Sequence, residues 1–133
     1  MQLGPDFQNA VCLMNAEVAL ILENKLASAQ DLGQQPKSEF VKTLEYVNRV
    51  KQYKDKETTQ YVRRILRRDQ SGDETLNLEE FELAQLGNLS PEDADEAKVL
   101  VPSLAMPGRP GGDVEPALLT EALQEISSSK HFT

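Results

Sequence analysis

Residues 69–81, DQSGDETLNLEEF, bring oxygen donors together at a spacing that could hold a cation. With Asp69 at position 1 of a calcium loop, Ser71, Asp73 and Asn77 fall on positions 3, 5 and 9. Leu76 takes the apolar position 8 and Glu80 the closing position 12. Position 6, where the sharp turn needs glycine, is Glu74, and the glycine stands two places early at Gly72. No second copy of the loop exists for it to pair with. The simpler reading is an acidic loop entering a helix, with Asn77 and Glu80 as a capping box. A single EF-hand-like calcium-binding helical protein is kept as an alternative.

Other chemistry finds less support. The lone His131 lies near the end of the sequence, where fraying is expected, and no glycine-rich phosphate loop, HExxH or nucleophile elbow is present. The many carboxylates fall on polar faces of predicted helices, where nothing would tune one as an acid or base. Cys12 is the sole cysteine. It has no partner for a disulfide, and with His131 alone it cannot build a structural zinc site. No catalytic residue, metal site or cofactor is expected.

The elements that would carry these residues are helical. A chain of 133 residues suits one domain with an added arm, and 39% hydrophobic content with 5% aromatics and no Trp implies a modest aliphatic core. No apolar run reaches the length of a membrane span. The N-terminus lacks a secretory pattern, so a reducing, intracellular setting is expected. Residues 1–13 read as an extended arm broken by Gly4-Pro5, with Leu3, Phe7, Val11 and Leu13 in need of cover. Asn15 caps a helix through about Ser28, with Val18, Ile21 and Leu22 on its stripe. Gly33 and Pro36 mark a loop. Ser38 caps a second helix, carrying Phe40, Val41, Leu44 and Val47, that ends near Lys54. Asp55 caps a third, with Thr58, Tyr61, Val62, Ile65 and Leu66 on one side.

A fourth helix follows the acidic loop and stops at Gly87 or Asn88. A fifth is framed by Ser90 and Pro102, with Ala94, Ala97, Val101 and Leu104 on one stripe and its acids off it. That pattern reads as packing without chemistry, with Ser103-Leu104 turned against a neighbouring helix or a partner. AMPGRPGG, residues 105–112, is a loop. A last helix spans about Val114 to Ser127, with Pro116 in its first turn.

The net charge of −8 is unevenly spread. Residues 42–68 hold nine Lys/Arg against three acids, and residues 69–133 hold fourteen acids against three bases. The basic segment offers Lys51, Lys54, Arg63, Arg64, Arg67 and Arg68 as candidates to face RNA phosphates. Internal pairing of these arginines with Glu79, Glu82 or Asp93 is the favoured reading. A stand-alone nucleic-acid-binding helical domain is a further alternative, opposed by the acidic half.

Three segments together carry a family resemblance. LMNAEVALILE (13–23), FVKTLEYVNRVKQYKDKETTQYVRRIL (40–66) and FELAQLGNLSPEDADEAKVLVPSL (81–104), followed by LQEISSSKHF (123–132), resemble the fourth-largest subunit of eukaryotic RNA polymerase II. The resemblance implies a mostly α fold: an N-terminal arm, then a helical bundle like the helicase-and-RNase-D C-terminal (HRDC-like) domain. It implies a division into residues 1–37, arm and first helix binding a partner, and 38–133, the bundle. It also implies a non-catalytic nuclear subunit that forms the stalk heterodimer with the seventh subunit, contacts the polymerase core and supports initiation and contact with nascent RNA. Leu3, Phe7, Leu13, Val18, Leu22 and Leu104 are the expected partner contacts. The loop 67–77 and the AMPGRPGG linker depart from the family's pattern.

Overall fold

The computed structural model of the protein describes residues 10–67, 76–109 and 112–130. Among these, six α-helices follow one another with no strand: α1 (Asn15–Asp31), α2 (Ser38–Val50), α3 (Lys56–Arg67), α4 (Glu80–Leu89), α5 (Ala94–Leu100) and α6 (Pro116–Lys130). A 3-10 turn, Pro102–Ala105, follows α5. The mostly α expectation holds.

The core gathers where α3, α4, α5 and α6 meet. On α3 the residues Thr58, Thr59, Val62, Ile65 and Leu66 are all buried, while Gln60, Arg64 and Arg67 are exposed and Arg63 is half-buried. This is the 3.6-residue period made physical: one stripe leaves water, and the charged residues lie off it. Leu119, Ala122, Leu123 and Ile126 of α6 and Leu83 and Leu86 of α4 complete the cluster. Ala94, Ala97, Val101 and Leu104 are buried as well, so the stripe read from the sequence is the packing face.

Met14, just before α1, is fully buried against α4. Gly87 makes this approach possible, because a Cβ there would lie 2.0 Å from Met14 Sδ. The Asn15 N–H donates to Asn88 Oδ1 (2.7 Å), fixing the start of α1 to the same turn of α4.

Several helix ends differ from the expected positions. α1 is preceded by Met14 rather than capped by Asn15, and Glu17 Oε1 accepts from the Met14 N–H (2.8 Å). It also runs on to Asp31, past the expected end at Ser28. α2 stops at Val50, four residues short of Lys54, where Lys51 turns extended. The capping box of α4 is displaced by two residues: Glu82 Oε1 accepts from the Glu79 N–H (2.9 Å). Asn77 instead takes a left-handed conformation (φ 57°) and donates from Nδ2 to the Asp113 carbonyl (3.0 Å).

The framed helix is shorter than its frame. α4 runs past Gly87 and Asn88 to Leu89, and Ser90 closes it in the left-handed region (φ 50°). Asp93, whose Oδ1 accepts from the Glu96 N–H (2.9 Å), caps α5. Thr120 Oγ1 of α6 takes the Ala94 N–H (3.0 Å). A neighbouring helix supplied the acceptor, which local sequence signals cannot anticipate. α6 begins at Pro116 and continues to Lys130, beyond the expected Ser127.

One ion pair organises the loops. Glu82 is fully buried, and Arg109 grips both of its carboxylate oxygens. Arg109 also donates to the carbonyls of Asn77 (2.8 Å), Ser103 (2.9 Å) and Gly112 (3.1 Å). Ser103 Oγ donates to Glu82 Oε2 (2.5 Å). Burial works against the Glu82 carboxylate, but the Arg109, Ser103 and Glu79 hydrogen bonds outweigh it and hold the group below its ordinary pKa. One guanidinium thus ties the residues before α4, the 3-10 turn and the loop before α6 to a single carboxylate.

Candidate partner interface

α1 contains VALIL at residues 18–22, five consecutive apolar residues that face every side of the helix. A helix of this kind needs cover on more than one side. α2 is its principal neighbour, and α3 touches it more lightly. Phe40, Leu44, Val47 and Val50 give α2 one apolar stripe, of which only Val47 is buried; the others are half-buried. The remaining surface of the hairpin stays open. Ile21 is 42% exposed, Val41 38%, Tyr46 53% and Leu32 73%. Leu13, just ahead of α1, is also exposed.

Of the expected partner contacts, Leu13 is exposed and Val18 and Leu22 are half-buried, all along the hairpin. Leu3 and Phe7 lie outside the described residues. Leu104 is placed differently: it is buried in the chain's own core. Of the two roles open to the Ser103-Leu104 turn, it takes the one against neighbouring helices. Pro102 begins a 3-10 turn that carries Leu104 inward. The exposed apolar residues here are instead Val99, Leu100 and Met106. The available signal was the run VLVPSLAM, which holds more apolar residues than one helical face can bury.

The basic segment divides by role. Arg63 is bound by Glu17, through Nε to Oε2 (2.5 Å) and Nη2 to Oε1 (2.6 Å), and its Nη2 donates to the Cys12 carbonyl (2.7 Å). Its Nη1 lies 3.7 Å from Glu80. Arg67 pairs with Glu80 (2.6 Å). The favoured internal pairing is therefore found, but with Glu17 and Glu80 in place of Glu79, Glu82 or Asp93. Glu82 belongs to Arg109. Arg64 is exposed and lies 5.9 Å from the Tyr61 ring centroid. Lys54 is exposed and Lys51 half-buried. Arg68 lies outside the described residues.

The calcium-loop positions Asp69, Ser71 and Asp73 also lie outside the described residues. Glu80, the closing position of that loop, sits in the first turn of α4 bound to Arg67. Among the described residues, no group of three His, Cys, Asp or Glu is arranged to hold a metal ion.

The parts assembled here are a helical bundle, a buried ion pair that braces its loops, and an apolar hairpin with an open side. The family model of RNA polymerase Rpb4 matches residues 12–128. Three curated relatives extend the match. The DNA-directed RNA polymerase II subunit 4 of Arabidopsis thaliana is 40% identical, across 99% of this chain and 91% of its own length. The subunit rpb4 of Dictyostelium discoideum is 33% identical, across 96% of this chain and 84% of its own. That of Schizosaccharomyces pombe is 33% identical, across 99% and 90%. With nearly the whole sequence matched, bundle and hairpin alike, the chain belongs to the RNA polymerase Rpb4 family.

Proposed function

We propose that this chain is a non-catalytic subunit of nuclear RNA polymerase II that joins the seventh subunit in a stalk heterodimer. In this reading residues 1–37 bind the partner, and residues 38–133 form the bundle that holds the first helix in place. The names of the relatives support the polymerase. The observation that supports a protein partner is the hairpin: α1 carries five consecutive apolar residues, 18–22, that point to all sides, and α2 covers one side of it. Exposed aliphatic residues gathered on one element mark an interaction site more often than they mark a free surface.

Co-expression tests it. The chain made alone should associate non-specifically and exchange the amide hydrogens of α1 rapidly, whereas co-expression with the seventh subunit should give a stoichiometric complex with α1 protected. Ile21→Asp should weaken that complex by at least about tenfold, the scale of a buried interface residue, while leaving the melting temperature of the chain unchanged. A monodisperse monomer with α1 fully protected, indifferent to the seventh subunit, would sink the reading.

Contact with nascent RNA, within the same reading, falls among the described residues to Lys51, Lys54 and Arg64, since Arg63 and Arg67 are held by carboxylates; Arg68 stays a candidate outside them. Reversing Lys54 and Arg64 in the heterodimer should flatten the dependence of log affinity on log salt. An unchanged slope would leave RNA to the partner alone.

A further inference from the structure

Ser90 is released from the capping role that its sequence position suggests. Asp93 caps α5, and Ser90 stands between α4 and α5 in a left-handed turn, half-buried. A donor from a distant part of the chain stands at its hydroxyl, with a buried tyrosine beside it. Lys130, the last residue of α6, brings Nζ to 2.7 Å from Ser90 Oγ and to 3.0 Å from Gln52 Oε1. The same ammonium lies 5.4 Å from the centroid of the Tyr53 ring. Tyr53 is 2% exposed, and its buried hydroxyl faces Ser90, without a hydrogen bond of good geometry. Burial pushes the pKa of this hydroxyl up to about 12, and its interaction with Ser90 works the other way. Immediately after Ser90 come Pro91, Glu92 and Asp93.

We propose that Ser90 is a phosphorylation site for a proline-directed protein kinase, and that Lys130 and Tyr53 form the seat for its phosphate. In the transfer, Ser90 Oγ attacks the γ-phosphorus of ATP. The bond from that phosphorus to the β–γ bridging oxygen breaks and ADP leaves with the electron pair. The hydroxyl proton passes to the kinase's base. The product carries close to two negative charges and three strong acceptors. At the C-terminal end of α4, beside Glu92 and Asp93, such a charge is unfavourable by itself. The Lys130 ammonium opposes that repulsion, and the Tyr53 hydroxyl gains a stronger, charged acceptor in place of the Ser90 hydroxyl. Burial holds Lys130 below the ordinary lysine range, a cost that a phosphate beside it would relieve. Access requires two releases: fraying of the terminal turn of α6 lifts Lys130 from the hydroxyl, and local opening of the α4–α5 turn exposes Pro91, which is buried in the folded chain. The consequence is a latch: phosphorylation fastens the end of α6 to the α4–α5 turn. The inference does not depend on the polymerase reading.

The test incubates the full chain with ATP and a purified proline-directed kinase, with a kinase that reads downstream acids as a parallel arm. Sites are mapped by mass spectrometry. Ser90 should be phosphorylated in the first arm, and Lys130→Ala should raise the initial rate several-fold. The phosphorus resonance of the product should then titrate with a second pKa lowered by about half a unit or more from its usual value near 6, and return toward that value in Lys130→Ala. Ser90 unmodified in the proline-directed arm would overturn the site. Modification there by the acid-reading kinase alone would overturn the proline-directed assignment. A phosphate pKa indifferent to Lys130→Ala would overturn the seat.

Discussion

Glu82 and Arg109 are the residues with most at stake. Both are almost wholly removed from water, and each satisfies the other. Removing one partner leaves a buried charge, so Arg109→Ala should cost about 3–5 kcal/mol, measured by urea unfolding at neutral pH. Because the Glu82 pKa is depressed in the folded chain, its stabilisation is fully present above the unfolded glutamate value of about 4.3. It is lost as pH falls from there through the lower folded value. Wild type should therefore lose more stability than Glu82→Gln between pH 6 and pH 3, and parallel pH profiles would refute the assignment. The adjacent arginines Arg63 and Arg64 of α3 should likewise separate. Arg63→Ala breaks hydrogen bonds to Glu17 and Cys12 and should cost about 1.5–3 kcal/mol. Exposed Arg64→Ala should stay within about 0.5 kcal/mol.

At the scale of elements, the closest approach is that of Met14 to α4. A methyl group at Gly87 would meet Met14 Sδ at 2.0 Å and Cγ at 2.7 Å, so the buried methionine must move. Gly87→Ala gains up to about 1 kcal/mol of helix propensity and should lose about 1–3 kcal/mol to overpacking, for a net loss. Met14→Ala opens a cavity at the same place. The double variant should then be more stable than the sum of the two single losses, by about 0.5 kcal/mol or more in a double-mutant cycle. Strict additivity would mean that the two residues do not meet. α1 depends on this junction, since the Met14 plug, the Asn15–Asn88 hydrogen bond and the Arg63–Glu17 pair all act at its first turn. The rest of α1 leans on α2.

Across the whole molecule, burial is uneven. The bundle holds nearly all the fully buried side chains, whereas the hairpin contributes Ala16, Ala19 and Val47. Two tiers of protection should result. Amides of α3, α4 and α6 should exchange only through global opening, and those of the far ends of α1 and α2 through local opening. Leu119→Ala, at 0% exposure, should cost about 2–5 kcal/mol, and its loss should appear in every slow amide of the bundle. Ile21→Ala, 42% exposed, should cost well under 1 kcal/mol in the isolated chain. Equal protection along the hairpin and the bundle would contradict this division.

Periodicity alone determined that the chain is helical, which faces are apolar, and that the stripe Ala94-Ala97-Val101-Leu104 packs inward. Those features depend on spacing along the chain, and spacing is written in the sequence. Three segments in order were also enough to place the chain in its family. Helix ends were less legible. Ser90, Asn15 and Asn77 each looked like caps, yet the acceptors came from Glu17, Glu82, Asp93 and Thr120, because neighbouring helices and longer acidic side chains competed for the same N–H groups. Charge partners were legible only as a choice. That arginines of α3 pair internally followed from composition, but that Arg63 takes Glu17 and leaves Glu82 to Arg109 depends on which helices lie side by side. The tertiary structure alone decided that Leu104 turns inward and that Ile21, Tyr46 and Val99 remain outside. A helical run such as residues 18–22, apolar on every side, does not record which side its own chain will cover; that is set by where the next helix packs.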